Sequence, residues 1–217
     1  MTNSLHEPAI QAVLTRLFEQ ARLDETRRTP GTCPASAQDR ADAMARADAM
    51  AEIYMPISAE GGRLLYTLVR AIRPQVVVEF GMSFGISTLF LAAAVRDNGA
   101  GHVFTTELSA AKIAAAKATF GEAGLDGVIT VLEGDARDRL DELDGDVGFV
   151  LLDGWKDLCL PVLRLLEPRL GPGTLVVADD VNLASLQPYL DYVRDAANGY
   201  ESVRFPVEDG MEISCRA

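Results

Sequence analysis

The chain reads as an α/β protein: a mostly parallel sheet of seven strands with helices on both faces, an antiparallel last strand, and extra helices before the first strand. Three observations predict this. From residue 76 onward, short apolar runs alternate with helix-period segments, separated by Gly, Asp and Pro. The first run, VVVEF at 76–80, passes through GMSFG directly into a helical segment. The last two runs, 200–207 and 211–216, are joined by Glu208-Asp209-Gly210 and read as a hairpin.

Composition sets the outer bounds. With 217 residues, 48% of them hydrophobic, the chain can bury one substantial core, so residues 1–217 are expected to form a single domain. Within it, 1–73 is helical and 74–217 carries the sheet. A net charge of -12 opposes nonspecific attraction to nucleic acid or to an anionic membrane surface. The start, MTNSLHEPAI, lacks the basic-then-apolar pattern of an export signal, and no apolar run has the length of a membrane span. The expected location is cytoplasmic. Cys33, Cys159 and Cys215 are odd in number and scattered, which suits a reducing compartment and fits neither a disulfide framework nor a cysteine zinc site. His6 and His102 are the only imidazoles, so histidine-led catalysis has little material.

In chain order, residues 5–28 place Ile10, Val13, Leu14, Leu17, Phe18 and Ala21 at helical spacing. This amphipathic helix needs a surface, either the domain itself or a twin subunit, and periodicity leaves both open, including a homodimer through the N-terminal helices. TPGTCP at 29–34 breaks the pattern. A tandem hexapeptide, RADAMA at 40–45 and 46–51, is strongly helix-forming through its alanines. MPISAEGG at 55–62 interrupts again, and a helix at 63–72 runs to Pro74. The strand at 76–80 suits burial on both faces. Strands then follow at 102–107, 128–133, 147–153 and 174–180, alternating with helices at 86–96, 110–123, 158–170 and 184–196. Such alternation implies right-handed crossovers.

Chemistry is expected beyond the C-terminal ends of the strands, where strand order reverses. Gly81 to Gly85 lets the backbone turn under a ligand, and the helix opening at Ser87 offers unpaired N–H groups to an anionic group. The glycines alone also fit a plain strand-to-helix turn. Glu107 ends the second strand about where a carboxylate receives ribose hydroxyls. Asp153 in LLDGWKD, with Asp179 and Asp180 in LVVADDV, sits at adjacent strand tips. Carboxylates gathered in one cleft repel unless a cation lies among them, and all-oxygen ligation selects a hard ion such as Mg²⁺. For Asp180 or Asn182, helix capping is the alternative. Lys156, beside Trp155, is a candidate proton acceptor because a nearby metal disfavours its protonated form; a solvated lysine at a helix start is the alternative.

Assembled, these residues resemble the class I S-adenosylmethionine methyltransferases, which have a Rossmann-like sheet, and within them the metal-dependent O-methyltransferases of the catechol and caffeoyl-CoA type. The resemblance implies that VVVEFGMSFGIS binds the methionine part of the cofactor through Glu79, Gly81, Ser83 and Ser87. It also implies that Glu107 holds the ribose, with Leu108 against the adenine and Asp135 and Ala136 at the adenine edge. Asp153 and Trp155 border the cofactor. MPISAEGG resembles the lid over the methyl donor, which puts Met55 and Ile57 near the sulfonium. LLDGWKDLCL, ADDV and DGMEI resemble the catechol enzyme in order and spacing, implying Asp153, Asp179 and Asp180 as metal ligands, Lys156 as base and Glu212 as partner of the second substrate oxygen. Two departures stand out. Asp180 replaces the family's Asn, unless Asn182 supplies the neutral oxygen, and Gly154 replaces a His that encloses the adenine. The implied reaction moves a methyl group from S-adenosylmethionine to a small phenolic acceptor, a vicinal diphenol chelating the ion. The rivals are a metal-independent methyltransferase, an NAD-binding oxidoreductase, for which no hydride-transfer constellation is visible, and a silent cofactor-binding module.

Overall fold

The computed structural model describes residues 3–25, 40–207 and 209–217. Three helices, α1 (Pro8–Glu25), α2 (Arg40–Ala49) and α3 (Ala59–Ile72), precede the sheet. There follow β1 (Val76–Phe80), α4 (Ile86–Asn98), β2 (His102–Glu107), α5 (Ala110–Glu122), β3 (Ile129–Glu133), the short α6 (Ala136–Arg139) and β4 (Val147–Leu152). The chain continues through α7 (Cys159–Leu166), β5 (Leu170–Ala178), α8 (Gln187–Arg194), β6 (Tyr200–Phe205) and β7 (Met211–Arg216). The breaker at 29–34, Cys33 and Glu208 lie outside the described residues.

The strands form one sheet in the order β3-β2-β1-β4-β5-β7-β6, parallel from β3 through β5 and antiparallel at β5–β7 and β7–β6. Strand order reverses between β1 and β4, so a crevice opens above that pair. Alternate side chains of β1 serve separate cores. Val77 packs with residues of α1, α3, α4 and α5 on one face, and Val78 and Phe80 with α7 and α8 on the other, which is why the strand is apolar at nearly every position.

The apolar stripe of α1 is used by the domain itself: Ile10, Val13, Leu14 and Leu17 are buried in the core shared with α4 and α5. The N-terminal turn is also tied down, because the Asp97 carboxylate accepts hydrogen bonds from Ser4 N (2.9 Å) and Tyr66 Oη (2.6 Å).

Several boundaries differ from expectation, each for a local reason. Helix α3 starts at Ala59 because the Ser58 hydroxyl accepts a bond from Gly61 N at 2.9 Å. Its two glycines are therefore helical rather than breakers, and a Cβ at Gly62 would lie 2.4 Å from the Phe90 ring, so glycine permits the close α3–α4 approach. Pro168 ends α7 early in a 3-10 turn, leaving β5 to begin at Leu170. Pro188 belongs to the first turn of α8, where its missing N–H is harmless, so that helix opens at Gln187 and not at 184. Among the described residues no helix is long and apolar enough to cross a membrane.

Candidate active site

A cleft of about 420 Å³ opens above the C-terminal ends of β1, β2, β4 and β5, within the range of small-molecule sites. Its floor is the turn after β1. Gly81 has φ of 100°, and a Cβ there would lie 2.5 Å from the Gly154 backbone nitrogen, so the loops after β1 and β4 touch. Gly85, with φ of 84°, caps α4 without a side-chain hydrogen bond, which leaves the helix's first N–H groups to whatever occupies the cleft. Ser83 and Ser87 line the floor. Among the described residues the buried Ser83 Oγ has no hydrogen-bond partner.

Glu107 fastens this floor to the second strand. One carboxylate oxygen accepts from Ser83 N at 2.8 Å, and the other accepts from Leu108 N and Ser109 N at 2.8 Å each. Asp135 caps α6 through Arg137 N (2.9 Å) and pairs with the Arg137 guanidinium (2.6 Å). Burial alone would raise the Asp135 carboxyl, but those bonds outweigh it and hold it below the usual range. Leu108, Ala136, Met55, Ile57 and Trp155 also line the cleft.

Glu79 is placed differently from expectation. It is fully buried behind the floor, and its Oε2 accepts from the hydroxyls of Thr88 and Thr105. It braces β1 against α4 and β2 and does not reach the cleft surface. Burial pushes its carboxyl up to about 7 against the lowering effect of its hydroxyl neighbours Ser87, Thr105 and Thr88.

At the other end of the cleft, Asp153, Asp179 and Asp180 each offer an oxygen, and these lie within 4.8 Å of one another. Parallel pairing of β4 with β5 makes their tips adjacent. Burial, and then the Asp153 charge, push the Asp179 carboxyl up to about 8, against the lowering effect of Lys156. Lys156, buried, places Nζ 2.7 Å from Asp153 and 3.1 Å from Asp180. Burial would lower its pKa, but Asp153, Asp180, Cys159 and Asp179 outweigh that and raise it above the usual lysine range. Asp180 itself has φ of 59°, a left-handed conformation that Asp and Asn tolerate better than most residues.

Two expectations are corrected by this geometry. Glu212 does not meet the acceptor space: it is buried in β7, opposite Ala178, with its oxygens held by Arg194 at 2.8 and 2.7 Å and by Ser202 at 2.8 Å. Asn182, the alternative to Asp180, lies outside the cleft lining, and its oxygen accepts from Arg204 at 2.8 Å. Gly154 also has a structural reason, because a Cβ there would lie 2.5 Å from the Phe80 ring. Phe80 lines the cleft beside it.

Some lining residues carried no signal in sequence. Arg46, from the second RADAMA copy, places its guanidinium 4.2 Å from the Trp155 ring centroid and 3.5 Å from Asp157. Tyr54 stacks on Phe84 at 4.0 Å. Asp209 and Leu183 also line the cleft.

A glycine turn from a central parallel strand into a helix, with a carboxylate at the next strand tip, defines a nucleotide-binding doubly wound fold. Comparison with known proteins narrows it. Residues 78–181 match the family model described as "Methyltransferase domain". A catechol O-methyltransferase of Sus scrofa is 32% identical over 147 residues, covering 64% of this chain and 78% of the relative. Catechol O-methyltransferase B of Danio rerio is 29% identical over 213 residues, covering 92% and 77%. Among solved structures, an O-methyltransferase from Bacillus cereus in complex with SAH superposes with a TM-score of 0.69 at 18% identity, covering 93% of this chain and 100% of that one. The chain belongs to the S-adenosylmethionine-dependent O-methyltransferases of the catechol O-methyltransferase family.

Proposed function

We propose that the enzyme transfers the methyl group of S-adenosylmethionine to one oxygen of a small vicinal diphenol, in a reaction that depends on a divalent cation such as Mg²⁺. The observation that carries this reading is the Asp153, Asp179 and Asp180 cluster at the tips of β4 and β5, with Lys156 on its edge. Three hard oxygen donors within 4.8 Å of one another suit a hard dication. The cofactor cradle fits as well, since the buried Ser83 Oγ lacks a partner among the described residues and the end of α4 has no side-chain cap.

In this reading Ser83, Ser87 and the first turn of α4 hold the methionine carboxylate. Glu107 accepts from the ribose hydroxyls, and Leu108, Asp135, Ala136 and Trp155 enclose the adenine, while Met55 and Ile57 cover the methyl donor. A bound dication would supply Lewis-acid stabilisation of a phenolate, whose parent phenol has a pKa of about 10. With a dication taking over Asp153 and Asp180, Lys156 would lose the contacts that keep it protonated and could take the proton from the attacking oxygen, a general-base role worth about 10²–10⁴ in rate. Orientation contributes a further large share, because sulfonium chemistry needs the oxygen in line behind the methyl group. The net charge of -12 supports a small acceptor over nucleic acid, and the free cysteines Cys159 and Cys215 suit the cytoplasm.

The test is turnover of vicinal diphenols with and without Mg²⁺. Activity that needs the ion, and favours diphenols over monophenols, is the expected result. Full activity in excess chelator would overturn the metal-dependent reading in favour of a metal-independent methyltransferase.

A further inference from the structure

Resting on the metal reading of the same site, we infer that Lys156 is the resident counter-ion of the aspartate cluster, holding the cation's place in the metal-free enzyme and competing with a divalent ion for Asp153 and Asp180. Its Nζ lies 2.7 Å from an Asp153 oxygen and 3.1 Å from an Asp180 oxygen, so one ammonium bridges two of the three candidate ligands. The bridge is built into the loop. Lys156 opens a 3-10 turn three residues after Asp153, and its side chain is 8% exposed. It is therefore not a surface lysine sampling many partners. Among the described residues the other cations lining the cleft are engaged elsewhere, Arg46 with Trp155 and Asp157 and Lys112 over the Phe84 ring.

The physical consequence is a competition. Three carboxylates this close repel one another, and a buried charge without a partner is strongly destabilising. One ammonium relieves part of that repulsion in the metal-free state. A dication binding the same oxygens must displace the ammonium from at least Asp180 or bear its repulsion at short range. Lys156 thus stabilises the empty site and weakens its affinity for the ion, which keeps the ion exchangeable.

The experiment measures Mg²⁺ affinity by calorimetry on the chelator-stripped enzyme, together with its melting temperature, for the wild type, Lys156→Met, Lys156→Gln and Lys156→Arg. Neutralising the lysine should tighten Mg²⁺ binding at least tenfold and lower the metal-free melting temperature by several degrees, with Mg²⁺ restoring it. Lys156→Arg, which keeps the charge, should bind Mg²⁺ within a few-fold of the wild type. Lys156→Gln stands in if the Met variant does not fold. If the wild type binds Mg²⁺ and the neutral variants bind it equally or more weakly, Lys156 is not a competitor while the metal reading survives. If neither the wild type nor the neutral variants bind Mg²⁺ and turnover ignores chelator, the metal reading falls and takes this inference with it.

Discussion

The β1–β2 end of the cleft and the β4–β5 end differ in what holds their polar groups. At the first, Glu107 is satisfied by three backbone N–H groups and Asp135 by a helix cap and an arginine. Both of these carboxylates are paired without a ligand. At the second, three carboxylates crowd within 4.8 Å, one in a left-handed conformation, and a single lysine bridges two of them. The contrast teaches that a side chain at the first end is fixed by backbone groups and its loss should be read in affinity, whereas the acidic end rests on a balance of charges that one substitution can tip.

Trimming the acidic end should therefore do the most damage to turnover and the least to cofactor binding. Asp179→Ala should reduce methyl transfer to the assay background while circular dichroism and cofactor affinity stay close to wild type. Retained turnover would mean that the cluster does no chemistry. Next in size, Lys156→Ala should cost about 10²–10⁴ in kcat with little change in cofactor affinity. Its loss should shrink on a nitrocatechol, whose oxygen ionises more readily. An equal loss on both acceptors would rule out proton removal as its role.

The nucleotide end should respond in affinity instead. Glu107→Ala removes a charged acceptor worth about 1.5–3 kcal/mol, so cofactor affinity measured by calorimetry should fall tenfold or more. Unchanged affinity would take Glu107 out of the site and erase the contrast between the two ends. The smallest effect belongs to Glu79, which lies behind the floor and is reached by the Asp153 charge from the other end. Its carboxyl sits at about 7 in the fold against 4.5 as the ordinary value. The folded state then binds more protons than the unfolded state between those two pH values, so stability falls as pH rises through that window. The loss is on the order of 3 kcal/mol of stability and touches neither turnover nor cofactor affinity directly. Glu79→Gln should flatten that slope in denaturant titrations at pH 4.5 and 7.5, and an unaltered slope would show that Glu79 is not its source.

Much of this was legible in the chain because the determining patterns are local. VVVEF and VGFVLL announce strands covered on both faces, and strand-tip acids follow once the strands are located. Boundaries set by one capping hydroxyl or by Pro168 and Pro188 shifted by a few residues, since a proline marks a break without saying on which side the helix survives. What was not legible depends on which elements meet. The apolar runs place Glu79 and Glu212 in strands, but do not tell that the hydroxyls of Thr88 and Thr105 bond the one and Arg194 the other, which keeps both from the ligand roles expected of them. The RADAMA repeat predicts a helix and cannot say that its second arginine lies over Trp155. Likewise, the stripe of α1 specified an apolar surface but not whose.

The placement of β7 between β5 and β6 has a consequence for how the molecule is made. During synthesis β6 emerges before β7, yet it has no strand to pair with until β7 has followed it and settled against β5. Residues 200–205, with Val203 and Phe205 exposed even in the finished fold, must wait unpaired in the nascent chain, and the edge of β5 that ends next to Asp179 stays open for the same interval. The cradle at β1–β2 can assemble from residues that are close in sequence and already translated, whereas the acidic end is flanked only after a longer-range closure, which is the slower kind. The two ends of one cleft are thus flanked at different times, with the acidic end last.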